Sequence, residues 1–337
     1  MPAQLQSQPA TATAAAGASR RNLLRSGLFM AALGGSGALQ AQTAGAPSPA
    51  RAADGRPFDY ANAADNLDAL SRMWGVTEPG KLAYLYVFGP AFGMVDAESF
   101  RPLYRIESLA AVRTYPQGDG VYHYLAGQVI LFTDWATGAV LETFKNPLNG
   151  RTCEVFQYRD GPLDYKLDAN KLAERYTIAS KTATDNDLPR KLVLDWTFRG
   201  DMAYGDAIVK TKLKNRLDPA VWKLESVGEY WETFEAYRWQ ARRADIENRS
   251  STDVPSFTGS FQVFKPWEPW LLMGQSKGKI FSQRTAFKVA NFDRVPRPVM
   301  AYIEKHLSDI LDIGTTPHGQ YKLNDQHFRE QRKPLAG

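Results

Sequence analysis

Between Val121 and Tyr158, runs of strand-forming residues alternate with two segments whose composition suits tight turns. The runs are Val121 to Phe132, Ala139 to Phe144 and Thr152 to Tyr158. The separators are Asp134-Trp135-Ala136-Thr137-Gly138 and Asn146-Pro147-Leu148-Asn149-Gly150. Gly and Asn tolerate positive φ and Pro presets the first turn residue, so both separators reverse the chain within a few residues. The stretch reads as an antiparallel meander, and it predicts a chain built mostly of up-and-down strands.

The same reading extends outward. Leu67, Leu70 and Trp74 fall at helical spacing within Asp59 to Trp74, a short amphipathic helix stopped by Gly75. Leu82 to Phe88, bounded by Gly80 and Gly89-Pro90, and Leu103 to Val112 are strand candidates; the second leads into the meander through a turn at Gly118-Asp119-Gly120. Past the meander, Asp160-Gly161-Pro162 predicts a turn and Lys171 to Asp187 a polar loop or ragged helix. Leu192, Leu194, Trp196 and Phe198 alternate with Lys191, Asp195, Thr197 and Arg199, the pattern of a half-buried strand, and Met202 to Leu213 pairs back through Gly200-Asp201. Val227 to Trp239 fits a strand with Trp231, Thr233, Glu235, Tyr237 and Trp239 on one face, or a helix lining up Glu229, Glu232 and Glu235; its aromatic density favours the strand. Phe257 to Phe264 and Lys279 to Val289 complete the set, the latter alternating Phe281, Gln283, Thr285 and Phe287 with Ser282, Arg284 and Lys288. Pro296 to Leu311, with Val299, Ile303, Leu307 and Ile310 on one face, predicts a helix ended by Gly314. The expected fold is mainly β: an antiparallel, up-and-down, barrel-like sheet of roughly ten strands with a short N-terminal and a C-terminal helix. It forms a single domain over residues 59–314, with a loosely held tail from 315 to 337.

Residues 1–18 are low in complexity. They are followed by Ser19-Arg20-Arg21-Asn22-Leu23-Leu24-Arg25, the mildly apolar Gly27 to Leu39 and Ala-rich sequence. Paired arginines, two leucines, a further basic residue, a weak apolar core and small residues, in that order, resemble a twin-arginine export signal. The resemblance implies a leader over residues 1–46 cleaved between Ala41 and Ala46, a linker over 47–58, passage through the twin-arginine translocon in the folded state, and a periplasmic or extracellular address. Arg20, Arg21 and Arg25 also account for most of the net charge: the formal +5 falls to +2 once these three are removed. A balance so mixed gives no footprint for a phosphate backbone, so nucleic acid is not an expected partner. Apolar residues make up 44% of the chain, enough for a sizeable core, yet no window approaches the ~18 to 20 uninterrupted apolar residues of a membrane span.

Chemical motifs are few. Cys153 is the only cysteine, which excludes an internal disulfide and a cysteine metal cluster, and its strand context predicts a buried, inert thiol. His123, His306, His318 and His327 are scattered without metal-ligand spacing, so neither a metal nor another cofactor is expected. Gly274-Gln275-Ser276-Lys277-Gly278 matches the Gly-x-Ser-x-Gly of a hydrolase elbow, but an elbow joins a strand to a helix and here a strand follows; a hairpin turn is expected.

Asp134-x-x-Thr137-Gly138, Asn146-Pro147-x-x-Gly150 and Pro266-Trp267-x-Pro269-Trp270-x-x-Met273-Gly274, in that order, resemble an exported family known only as domain of unknown function eighteen-thirty-eight. The resemblance runs from about Lys81 to about Val289 and is most specific in the Trp-x-Pro-Trp-x-x-Met-Gly string. The chain departs from the family where Asp160-Gly161-Pro162-Leu163 replaces Asn-Asp-Pro-Val, and where Gln128 stands at a frequent glutamate. The family brings no catalytic assignment.

The remaining candidates are aromatic residues interleaved with charge. Trp267 and Trp270 flank Glu268 and Pro269; Trp231 and Trp239 share a strand with Glu229 and Glu235; Arg113 and His123 lie on or beside neighbouring strands. Tryptophans fill large cores, and they also line ligand sites in barrel mouths. One expectation is a binding protein holding an apolar or aromatic small molecule beneath Trp267 and Trp270, with Trp267 accessible and Trp270 packed. The alternative is an enzyme on the same scaffold, an interior carboxylate such as Glu229 or Glu235 working with Arg113 or His123 as acid and base.

Overall fold

The computed structural model describes residues 56–95, 100–118, 120–170 and 192–335. The expected export signal, most of the linker, Asp119 and the stretch Lys171 to Asp187 lie outside them. The strands are β1 (Leu82–Met94), β2 (Arg101–Gly118), β3 (Val121–Thr133), β4 (Thr143–Lys145), β5 (Thr152–Glu154), β6 (Tyr158–Asp168), β7 (Asp195–Arg199), β8 (Met202–Lys214), β9 (Tyr230–Arg242), β10 (Thr258–Lys265) and β11 (Lys279–Val289). Helices are α1 (Ala63–Trp74), α2 (Arg243–Glu247), α3 (Arg297–His306) and α4 (Asn324–Gln331). No helix among the described residues is long and apolar enough to cross a membrane.

Nine strands make one antiparallel sheet in the order β6-β3-β2-β1-β11-β10-β9-β8-β7, and β4 pairs with β5 in a separate two-stranded sheet. The fold is thus mainly β and antiparallel, as the alternation implied. The large sheet is open, with β6 and β7 at its edges.

The central meander departs from expectation in its pairing. The run Ala139 to Phe144 touches β3 only through the Thr133–Val140 bridge; β4 turns away to pair with β5, with Phe144 opposite Cys153. The neighbour of β3 is instead β6, which runs straight through the expected Asp160-Gly161-Pro162 turn. A register shift between Ala126 and Gln128 absorbs the extra residue at Gly161-Pro162, so the strand bulges where a turn was expected. β1 likewise continues through Gly89-Pro90.

α1 begins at Ala63 because Asn62 caps it, its Oδ1 accepting from the backbone N–H groups of Ala64 and Asp65. Leu67, Leu70, Met73 and Trp74 then pack on the face of the sheet formed by Leu85, Val87, Ala110, Val112 and Trp239. Farther along the same face a second apolar cluster gathers Ala91, Tyr104, Ile106, Phe132, Trp267, Trp270 and Ile280. The opposite face is covered in part by α3, whose Val299 and Ile303 meet Leu109, Val129 and Leu131.

The sheet bends over the α1 face. Tyr158 of β6 and Lys265 of β10 both reach the Glu268 carboxylate, yet their strands stand five places apart, roughly 24 Å in a flat sheet. The segment after Thr315, expected to be loosely held, is docked: Leu163 bridges to Tyr321, Gly161 N–H donates to the Lys322 carbonyl, and Phe328 of α4 is buried against Phe156.

Candidate functional site: a buried polar belt between two apolar layers

Side chains alternate between the faces of a strand, and on the α1 side of this sheet the alternation brings polar residues inward at one level. In β11 the buried face holds Ser282, Arg284 and Ala286, while Phe281 and Phe287 are only half-buried on the other side. Facing the same interior are Ser108 on β2, Gln128 on β3, Asp160 on β6, and Glu235 with Thr233 on β9, all buried. Lys265 closes β10 and Glu268 follows it. These groups form a belt between the cluster around α1 and the cluster around Trp267 and Trp270.

The belt is partly self-satisfied. Lys265 Nζ pairs with Glu268 Oε1, and the Tyr158 hydroxyl donates to Glu268 Oε2 at 3.0 Å. Gln128 Nε2 donates to Ser108 Oγ at 2.8 Å, and Asp160 Oδ1 accepts the Asn324 N–H at 2.7 Å. Arg284 Nε donates to Ser282 Oγ at 3.1 Å.

Other atoms are left over. The Tyr104 hydroxyl and Gln128 Oε1 are buried with no hydrogen-bond partner among the described residues. Arg284, 6% exposed, makes no further hydrogen bond there beyond the one to Ser282. Orphaned polar groups in an interior cost free energy comparable to lost hydrogen bonds, so native folds leave few of them.

Electrostatics sharpens the picture. Burial pushes the Glu235 carboxyl up to about 7, against the pull of Arg284 and Lys265. Burial likewise pushes Asp160 up to about 7, opposed by the Asn324 N–H and Lys265. Desolvation lowers Lys265 and Arg284 from their ordinary values, and it raises Tyr104 and Tyr158 well above theirs, with Glu268 adding to both tyrosine shifts. Two interior carboxyls are thus poised near neutrality within one belt.

The sequence candidates separate. Glu235 lies in the belt. Trp270 packs at its lower boundary on Tyr104 (ring centroids 5.4 Å apart) and Phe132 (5.0 Å), and is 2% exposed. Trp267 is 1% exposed and donates from Nε1 to the Ser276 carbonyl, so it is packed core and not the accessible indole of a pocket mouth. Trp239 stacks on Tyr237 in the α1 cluster, 5.3 Å between centroids, and Trp231 is half-buried at the start of β9.

Glu229 is exposed, one residue before that strand. Arg113 and His123 point to the opposite face. Arg113 donates to the Gly80 carbonyl and pairs with Asp312, while His123 contacts Asp164, whose other oxygen accepts the His318 and Gly319 N–H groups. Neither works beside Glu235. Their sheet positions are one residue out of phase with the inward Val112 and Tyr122.

Cys153 is buried, its thiol pushed up by desolvation. The Gly274 to Gly278 string joins a 3₁₀ turn to β11, with no helix following.

Arg284 was visible in the sequence only as the polar phase of an alternating strand, a phase that ordinarily faces water. Asp160 was masked by its Asp-Gly-Pro context. Lys265 and Glu268 had a better signal, since they bracket Pro266-Trp267 in the most specific string of the chain.

A family model described as protein of unknown function DUF1838 matches residues 80–312, which include every strand and the whole belt. The chain belongs to the DUF1838 family. No curated protein matches this DUF1838 chain. Among solved structures, one described as lipid–protein interactions in lipovitellin is 7% identical over 63% of this chain, with a TM-score of 0.25. The DUF1838 chain spans about a quarter of that protein (25%), and a likeness so low carries no argument.

Proposed function

We propose that this chain is an exported, soluble binding protein that holds a small molecule with an apolar or aromatic body in a barrel-like chamber, formed where the open sheet bends over its α1 face. The observation that supports this most is the set of unspent polar atoms, Tyr104 Oη, Gln128 Oε1 and the Arg284 guanidinium, lying between two apolar layers. Small-molecule sites combine largely apolar walls with a few convergent polar groups, which is this arrangement. The site is moved inward from Trp267 and Trp270, which serve as its packed boundary.

Mass spectrometry of small molecules released from the purified mature protein tests the reading directly. One dominant organic species at near-equimolar yield is expected. A protein that releases none, and whose melting temperature is unmoved by a panel of apolar and aromatic compounds, removes it.

Export rests on the leader alone. Replacing Arg20 and Arg21 together by Lys should abolish export by the twin-arginine route, and unchanged export of that double variant overturns the address.

A second reading, acid/base catalysis on the bound molecule, is favoured by one observation: Glu235 is held near 7 beside a cation. In that reading Arg284 takes the place expected of Arg113. Glu235→Gln would then leave binding intact and stop conversion of the ligand, whereas an unconverted ligand in the wild type rules it out.

A further inference from the structure

We propose that Arg284 anchors the charged end of the bound molecule, so that the ligands of this protein are monoanionic amphiphiles, a carboxylate or similar acid on an aromatic or apolar body. The proposal rests on the chamber reading above and adds the charge of the ligand to it.

A buried guanidinium is costly unless its charge is met. An ionised group in a protein interior is paired or strongly hydrogen-bonded, because desolvation otherwise costs several kcal/mol. Arg284 donates to Ser282 through Nε and to nothing else among the described residues. The fixed anion nearest the belt, Glu268, is already committed to Lys265 and Tyr158. With that pair cancelling, and with the Glu235 carboxyl protonated below neutrality, Arg284 is left without a counter-charge in the belt, and one negative charge balances it.

The strand between Arg284 and Tyr104 carries only small residues at this level. Between Tyr104 and Ile106 on β2 and Ser282 and Arg284 on β11 runs β1, which offers only Gly89 and Ala91 on this face. No side chain rises from the middle strand between the guanidinium and the Tyr104 hydroxyl. Arg supplies a planar fork suited to a carboxylate, and the Tyr104 hydroxyl is a second donor for the same group.

The carboxyls of the belt make the site sensitive to protons. Arg284 is faced by Glu235 of β9, Lys265 of β10, Glu268 beyond it and Tyr104 of β2. Above neutrality Glu235 ionises and competes with the ligand for the guanidinium, so anion affinity falls as pH rises through about 7.

The test compares naphthoate with naphthamide, which share one ring system and differ by the charge, using calorimetric titration of the full mature chain at mildly acid pH. Naphthoate should bind about tenfold tighter or better, the worth of one charge-assisted hydrogen-bonded contact. Arg284→Met should bring naphthoate down to the affinity of naphthamide while leaving naphthamide unchanged. Arg105→Met, which removes an exposed cation, should alter neither. Glu235→Gln should keep the preference and flatten its pH dependence.

Equal affinities in the wild type, or a preference that survives Arg284→Met, overturn the assignment of charge and leave the chamber standing. Binding of neither probe overturns both. Should Arg284→Met fail to fold, the wild-type comparison of the two probes decides by itself.

Discussion

The Tyr158 hydroxyl on β6 donates to the Glu268 carboxylate at 3.0 Å, tying one edge of the sheet to the connection that follows β10. Glu268 is almost fully buried and also pairs with Lys265. Two groups, Tyr158 and Lys265, therefore depend on one carboxylate.

Lys265→Met should destabilise the fold by about 3–5 kcal/mol, because it leaves Glu268 as a buried charge whose counter-ion is gone. Adding Glu268→Gln to it should restore much of the loss, since no uncompensated charge then remains. Urea denaturation of the single and double variants measures both. A double variant as unstable as the single one would mean that packing, and not charge, is what Lys265 supplies.

Stability should fall as pH rises towards neutrality. In the unfolded chain Glu235 and Asp160 titrate near ~4, whereas the fold holds both at about 7. Between those values the folded state binds more protons, so their contribution is fully present below the unfolded value and is lost as pH rises through about 7. Glu235→Gln should lose less stability than the wild type across that window. Chemical denaturation at a series of pH values checks it, and parallel curves for the two proteins would contradict the burial of an ionisable Glu235.

Trp267→Ala and Trp270→Ala should each cost about 3–5 kcal/mol, the usual loss when a large buried aromatic is truncated. Both indoles are sealed, and Trp267 loses a hydrogen bond to Ser276 as well. Thermal or urea unfolding measures the losses. A nearly neutral Trp267→Ala would return that residue to the mouth of the chamber.

Two glycines should fail on substitution for different reasons. A Cβ at Gly89 would lie 1.9 Å from the Gln283 carbonyl oxygen and 2.8 Å from the Arg284 Cα, both backbone atoms that cannot swing away. Gly89→Ala should therefore cost at least about 1–3 kcal/mol, the range of overpacked cores, and displace Arg284. Gly150 has open space around it but φ of +71°, so Gly150→Val should lose about 1 kcal/mol or more from backbone strain alone. Calorimetric melts separate the two, since Gly150→Val should leave probe binding in the chamber untouched and Gly89→Ala should not.

The strands of the second half were legible because their alternation and turns agree. Leu194 leads into β7, which holds Trp196, Gly200-Asp201 reverses the chain into β8, and β9 follows with Thr233, Glu235, Tyr237 and Trp239 inward as expected. The meander was legible only as a set of strands. Nothing in the composition of Ala139 to Phe144 distinguishes pairing with β3 from pairing with β5 alone. Asp160-Gly161-Pro162 has the composition of a turn, and a β-bulge uses the same residues for the same conformational freedom. The site was the least legible part. Buried Arg284 and Lys265 have the polarity of surface residues, and only the bend of the sheet turns their faces inward. Glu235 was found because its strand is otherwise aromatic.

The order of strands carries a consequence for how the chain comes to be folded. β1, β2, β3 and β6 form one run of neighbours close in sequence, and β7 to β11 form another; among the described residues the two pair as strands only where β1 meets β11. Tyr84, near the start of the domain, stands opposite Val289, near its end. Each half can assemble through local hairpins, but the seam between them must await synthesis of nearly the whole domain, and closing so long a loop carries the entropic cost that slows non-local pairing. Until then both halves expose an unpaired strand, β1 on one and β11 on the other. The newly made chain is in that interval two sticky half-sheets, and the residues flanking the seam, Gly89 and Arg284 among them, are the last to find their neighbours.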